Sequence, residues 1–274
     1  MSEAMAARSI WTGSIAFGLV NIPIKVYSAT EDRVFHFNQL CKNGHRIQYK
    51  RWCPTEEREV SYDEIKKGYN VAKDEYVLIE KGELQSIKVK TTKTIEIREF
   101  VEMSQLDPIF IEKSYFIGPD SKGGEKAYLL LVEILRRTKT IGLGTVVLRE
   151  REQVVALRAY QRGIVMHGLH YLDEIRPMDE IKDIAVAASA KTKVEDQEMS
   201  LGKVLVEQLL SDDIDLSQYH DIYSEKVKEI IEAKAKGKEI VSVQEPAGTA
   251  STKDLLAALK ASVSTKSKGT KRRG

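Results

Sequence analysis

Trp11-Thr12-Gly13-Ser14-Ile15-Ala16-Phe17-Gly18-Leu19-Val20-Asn21-Ile22-Pro23-Ile24-Lys25-Val26-Tyr27 is the stretch on which the reading of this chain turns. Ile22, Ile24 and Val26 alternate with Pro23, Lys25 and Tyr27. That period of two is the pattern of a half-buried strand. In the earlier half the apolar residues are broken by glycine. Gly13 and Gly18 lack a Cβ, so the backbone can bend there or a neighbouring backbone can approach closely. A bent strand that runs into a second strand is how a sheet begins to curl into a barrel.

Outward from this stretch, strands are expected at residues 35–40, 76–80, 93–101, 114–120, 144–148, 154–160 and 163–169. Within 93–101, Ile95 and Ile97 alternate with Thr94, Glu96 and Arg98, and the pattern breaks at Glu99-Phe100. Asn43-Gly44 is a hairpin-turn signal in a polar arm that carries Arg46, Lys50 and Arg51. Ser61 followed by Glu64 reads as a capping box for a short helix. Residues 106–110 read as a turn followed by a loop. The clearest helix is residues 125–137, with Tyr128, Leu131, Val132 and Leu135 on one face and Ala127, Leu130 and Ile134 widening it. So apolar a helix is expected to be largely buried against the sheet. Many strands with few helices predict a mainly β chain with some α, built on a barrel or curled sheet.

Past Pro177 the pattern changes to amphipathic helices at 199–210 and 219–236, with Gly237 as a C-terminal stop. Residues 244–250 read as a linker, 251–260 as a short capped helix, and a Lys/Arg/Ser tail closes the chain.

Length and charge bound the function. The 274 residues suffice for a sizeable core. No run of 18 apolar residues suggests a membrane span, and the opening residues MSEAMAARS carry no apolar region of a secretion signal. Two cysteines, Cys41 and Cys53, suit a reducing compartment, so a cytoplasmic location is expected. Residues 247–274 hold seven Lys/Arg and one Asp, a local +6 that leaves the rest of the chain at −4 against the total of +2. The body therefore does not coat nucleic acid uniformly, and contact requires locally concentrated charge. Residues 122–162 supply such a concentration, nine Lys/Arg against four Glu, including Arg136, Arg137, Lys139, Arg149 and Arg151.

Chemistry has few footholds. Cys41, His45 and Cys53 give three candidate zinc ligands where a structural site needs four, and no C-x-x-C is present. His167 and His170, three apart on a strand, point to opposite faces and read as structural histidines. The run G-P-D-S-K-G-G-E-K at 118–126 lacks the G-K-[ST] ending of a phosphate loop, and Gly142 and Gly144 lack the third glycine of a dinucleotide fingerprint. No G-x-S-x-G occurs and no carboxylate cluster reads as a two-metal nuclease, so no enzyme activity, cofactor or metal is expected.

The run W-T-G-S-I-A-F-G-L-V-N-I-P-I-K-V-Y-S-A-T resembles the opening of prokaryotic Ku, the DNA-end-binding protein of non-homologous end joining. D-P-I-F with K-S-Y-F-I-G-P-D, and V-M-H-G-L-H-Y-L-D-E-I-R, resemble the same family in the same order. The likeness spans residues 10–237, with a weaker match in the tail. It implies a Ku-type β-barrel core over residues 1–190 with an arch insertion at about 36–75. A C-terminal helical arm would follow at 191–237, then a linker, short helix and basic tail at 238–274. It further implies a ring-shaped homodimer that a duplex end threads through, touching the backbone independently of sequence. Arg46, Lys50 and Arg51 would lie in the arch near phosphates, with Arg136, Arg149 and Arg151 as further DNA-binding candidates. The tail would recruit a multifunctional DNA ligase through Leu255, Leu256 and Leu259. Many relatives carry C-x-x-C in the arm, where this chain has Cys53-Pro54-Thr55-Glu56. The competing readings are an RNA-binding or interaction barrel, and a hydrolase or nuclease that the missing ligand clusters disfavour.

Overall fold

The computed structural model describes residues 7–86, 93–120, 123–148, 151–189 and 194–237. The chain divides into two compact units at Pro177 and Met178.

The first unit opens with strands β1 (Trp11–Phe17) and β2 (Val20–Ser28), paired antiparallel from Trp11 opposite Val26 to Phe17 opposite Val20. Gly18, at φ 56°, occupies the first position of the two-residue turn between them, where a hairpin needs a left-handed residue. Ile22, Ile24 and Val26 are fully buried while Pro23 is exposed, as the alternation requires.

Residues 31–39 form no regular element, and only an isolated bridge joins Leu40 to Arg46. The strand expected at 35–40 is therefore absent. Phe35 and Phe37 alternate, but Leu40 falls out of step, and Phe37 and Leu40 lie exposed with no strand edge to pair with. The Asn43-Gly44 turn does form: the Gly44 N–H donates to the Cys41 carbonyl at 2.8 Å, with Gly44 at φ 82°. Two short ribbons follow, β3 (Trp52–Cys53) with β4 (Arg58–Glu59), and β5 (Lys67–Ala72) with β6 (Glu75–Ile79). Between them the Ser61/Glu64 capping box closes a single 3-10 turn at Tyr62–Glu64. A short helix, α1 (Lys81–Ser86), follows.

The remaining strands are β7 (Thr94–Glu102), β8 (Ile111–Pro119), β9 (Thr140–Leu148), β10 (Arg151–Tyr160) and β11 (Gly163–Leu169), with helix α2 (Glu125–Thr138) between β8 and β9. Seven strands close a barrel in the order β1-β2-β8-β11-β10-β9-β7. Every pair is antiparallel except the closing one, where β1 meets β7 in parallel. Glycine permits that closure at two seams. A Cβ at Gly13 would stand 2.1 Å from the Lys93 carbonyl oxygen, and one at Gly144 would stand 2.1 Å from that of Glu96. The broken alternation at Glu99-Phe100 is a register shift between Ile97 and Glu99 against β9.

Ile15, Ile22, Ile24, Val26, Ile95 and Ile117 pack with Val155, Leu157, Ile164 and Met166 into the main core. Helix α2 joins it through Tyr128, Leu131, Val132 and Leu135. The Tyr128 hydroxyl enters the β8–β11 ladder, donating to the Ile117 carbonyl at 2.6 Å and accepting from the Ile164 N–H at 3.0 Å. Ala127 also packs against the core, but Leu130 is 59% exposed and Ile134 38%, so the wider buried face expected from the helix's composition is used only in part. On the opposite face of β9, β10 and β11 a second cluster forms from Ile141, Ala156 and Leu169, with Leu106 and Phe110 packed against it. Residues 108–110 are a 3-10 turn capped by the Asp107 carboxylate, which accepts from the Ile109 N–H at 2.9 Å.

In the second unit, helices α3 (Lys182–Ser189), α4 (Asp196–Leu209) and α5 (Ile222–Ala235) are amphipathic, yet α4 and α5 contain no buried residue. Glu195 caps α4 in a box with Glu198, and the Asp221 carboxylate caps α5 by accepting from the Ser224 N–H at 3.0 Å. No helix among the described residues is long and apolar enough to cross a membrane.

Candidate nucleic-acid interface

Residues 40–59 carry five Lys/Arg against three Glu, and all five cations extend from the turn and ribbon beyond the barrel core. Arg46 sits at the bridge to Leu40, exposed, with no ion pair among the described residues. Lys50 pairs with Glu59 at 2.9 Å across the ribbon. The Arg51 guanidinium lies 5.1 Å from the centre of the Tyr62 ring, a cation–π arrangement that keeps its charge available to a second partner. Arg58 pairs with Glu56 at 2.6 Å and with Glu64 at 3.0 Å. The Ser61 backbone N–H, then its hydroxyl and then Arg58 hold the Glu64 carboxyl below its ordinary range. The arm is thus shaped by local charge pairing, with Arg46 and Arg51 free of carboxylates.

The other candidate cations lie on the barrel. Arg136, near the end of α2, donates to Glu133 at 3.0 Å and to the Gln161 carbonyl at 2.5 Å. Arg151, at the start of β10, pairs with Glu174 at 3.2 Å. Gln161 follows the far end of β10. Ten residues at about 3.3 Å each therefore set Arg136 and Arg151 about 30 Å apart. They do not form one patch. The Tyr171 backbone N–H, then His170 and Arg151, hold Glu174 below the usual carboxylate range. Arg149, Leu255, Leu256 and Leu259 lie outside the described residues.

Cys41 is exposed, Cys53 half-buried, and both are free thiols. Among the described residues no three His, Cys, Asp or Glu side chains converge to hold a metal. His167 is buried and His170 half-exposed, each held by its own hydrogen bonds.

One constellation escaped the sequence reading. Arg158 on β10 donates from Nε to His167 Nε2 at 2.9 Å, which leaves His167 Nδ1 to donate to the Ser114 hydroxyl at 2.8 Å. Arg158 also lies 5.1 Å from the Tyr160 ring centre, and Tyr160 stacks on Phe116. The available signal was a charged residue between Ala156 and Tyr160, on the strand face that also carries apolar Val154.

A closed seven-stranded barrel with a long insertion between its second and third barrel strands is now in view. Residues 16–201 match the family described as the Ku70/Ku80 beta-barrel domain. This chain belongs to the Ku family. The Non-homologous end joining protein Ku of Archaeoglobus fulgidus is 42% identical over 257 residues, 93% of this chain and 98% of that protein. The protein of the same name from Mycolicibacterium smegmatis is 40% identical over 273 residues, 96% of this chain and 83% of its own. That of Bacillus subtilis is 36% identical over 259 residues, 93% and 81% respectively. The likeness to Ku thus extends through the barrel, the ribbon insertion and the helices beyond residue 178.

Proposed function

We propose that this chain binds the ends of double-stranded DNA in non-homologous end joining, as a ring-shaped homodimer without catalysis of its own. The observation that carries the reading is a Ku barrel whose inserted arm holds cations, Arg46 and Arg51 among them, outside the core and unpaired with carboxylates. Lysine and arginine on an extended arm suit the phosphate backbone, which every sequence shares, so binding is indifferent to sequence and steeply salt-dependent. Two further features support self-association. The β5–β6 ribbon exposes Tyr69, Tyr76, Val77 and Leu78, and α4 and α5 expose Met199, Leu209, Tyr223 and Ile231. Apolar surface of this extent fits a protein partner.

Ring topology supplies the preference for ends, because a closed circle offers none to thread. Tight binding to a linear duplex and little to a covalently closed circle of the same sequence is the expected outcome in a gel-shift titration at moderate salt. Equal affinity for both removes the threading mechanism. Leu255, Leu256 and Leu259 are the apolar anchors by which the tail recruits a DNA ligase. Removing residues 245–274 should spare end binding and lower ligase stimulation.

A second reading, a single-strand or RNA-binding barrel, draws on the exposed rings of Tyr49, Trp52 and Tyr62 along the arm, since unpaired bases stack on such rings. A single-stranded RNA that outcompetes linear duplex would favour it.

A further inference from the structure

Beside the C-terminal end of α2 lies a cavity of about 540 Å³, bounded by the turn at residues 103–104, the start of β9 and the end of β10. Its lining contains three cations, Arg136, Lys139 and Arg158, against one carboxylate, Glu102. The hydroxyls of Ser104, Thr138 and Thr140 join them. We propose that this cavity is a binding site for a phosphomonoester dianion, with Arg158 and Lys139 as its principal ligands.

Arg158 is held in an unusual way. Structural arginines near a core are usually fixed by a carboxylate, which cancels their charge. Arg158 is fixed instead by an uncharged acceptor, His167 Nε2, at 2.9 Å, and by the Tyr160 ring beneath it. His167 is itself oriented by Ser114 at 2.8 Å. Burial, and then Arg158, push the His167 pKa down, which favours the uncharged imidazole that this bond needs. Only Nε of the guanidinium is used. Both Nη groups keep their donors, with no acceptor among the described residues, and the full positive charge remains. An oriented fork of this kind matches two oxygens of a phosphate.

Lys139 supplies the second part. It follows the last residue of α2 at φ 55°, a left-handed position where glycine is the usual occupant. Its carbonyl accepts from the Met103 N–H at 3.2 Å, which ties the turn to the helix end, and its ammonium has no carboxylate among the described residues. Cations at a helix C-terminus also complement the helix dipole. Arg136 and Arg137 meet that need here, both engaged by Glu133 at 3.0 and 2.7 Å. Arg158 comes from β10 and has no such role. The cavity volume suits a small phosphorylated molecule or a terminal phosphate better than a diester inside a duplex, whose neighbours on both sides bar it from a concave site.

The site does not depend on ring formation, so its failure and that of the end-binding reading are separate results. Calorimetric titration of the full chain with inorganic phosphate, at constant ionic strength and pH 8, tests it directly. One saturable site per chain is expected. Arg158→Lys keeps the charge but loses the fork, and should weaken binding about tenfold, the loss expected for a charge-assisted hydrogen bond. Lys139→Gly removes a cation while placing glycine where the backbone is left-handed; it should melt no lower than the wild type and also lose about tenfold. Duplexes of one sequence bearing a 5′-phosphate or a 5′-hydroxyl identify the source. Preference for the phosphorylated end, competed by inorganic phosphate, assigns a DNA terminus, and phosphate binding without that preference assigns a free phosphomonoester. Absence of saturable phosphate binding in the wild type, or binding unchanged by either substitution, overturns the proposal.

Discussion

The barrel and the inserted segment at residues 40–79 belong to one compact unit, yet they are held in opposite ways. In the barrel, Ile15, Ile22, Ile24, Val26, Ile95 and Leu131 have no exposed surface at all. In the insertion no residue is buried, and large side chains such as Trp52, Tyr69, Tyr76 and Leu78 stand more than half exposed. The barrel gains its stability from apolar area removed from water. The insertion keeps its shape through local devices: the Ser61/Glu64 box, the Lys50–Glu59 pair and the Arg58 pairs. An exposed two-stranded ribbon is marginal on such terms. The barrel is therefore held by its own core, whereas the insertion leaves its large apolar side chains uncovered by the rest of the described chain.

The largest effect belongs to the barrel. Leu131→Ala empties a fully buried position on α2, the one helix among the described residues that reaches the core, and should cost about 2–5 kcal/mol. The chain has two tryptophans, half-buried Trp11 on the barrel and exposed Trp52 on the insertion. In a Trp52→Phe background, urea unfolding followed by Trp11 fluorescence isolates the barrel and reads that cost. A loss below about 1 kcal/mol would mean that α2 is not part of the core it joins here.

A smaller effect should appear with pH. His167 is buried, and its pKa is lowered first by burial and then by Arg158. The unfolded chain, with an ordinary histidine near 6.5, then binds a proton that the folded chain resists. Stability is fully present above about pH 6.5 and falls as pH drops toward the folded-state value. The lowered carboxyls, Glu64, Glu133 and Glu174 among them, act on a different window, below the ordinary carboxylate range. Unfolding free energy measured between pH 7.5 and 5.5 should thus slope downward in the wild type and flatten in His167→Gln. A slope that survives the substitution would place the titration elsewhere.

How much of this was legible in the sequence follows the same division. Where a residue's environment is set by its own strand period, the reading was good: Ile22, Ile24 and Val26 alternate as written, the Glu99-Phe100 break became a bulge, and Gly13 met a close backbone. The family was legible too, because the opening run is long and of unusual composition. Residues 35–40 misled because a strand needs an edge to pair with, and pairing is not written in a local run. The same limit hid β5, whose Lys67, Gly68 and Asn70 carry little strand signal until β6 lies opposite. Leu130 and Ile134 misled because composition cannot say how wide a groove the helix will fill. Charge was the least legible property. Arg136 and Arg151 were found by counting, and only the fold shows that one end of β10 separates from the other by most of the barrel's height. Arg158 carries no signal in its own strand because its value lies in what holds it, and His167 and Ser114 come from other strands.

The smallest effect on the barrel should come from the insertion, and it is the sharpest test of the contrast. Tyr76 and Leu78 alternate onto one face of β6, opposite Asn70 and Gly68 of β5, and both are exposed. Tyr76→Ser with Leu78→Ser removes apolar area that touches no core residue, so barrel unfolding read by Trp11 should shift by no more than about 0.5 kcal/mol. The same pair of substitutions should weaken self-association, read by sedentimentation equilibrium, if this surface is covered by a second copy. A barrel that loses stability along with the ribbon would mean that the two regions fold as one and that the exposed face is supported from within. Unchanged barrel stability with unchanged association would count against a second copy covering the ribbon and would turn the test of self-association to the exposed Tyr223 and Ile231 of α5.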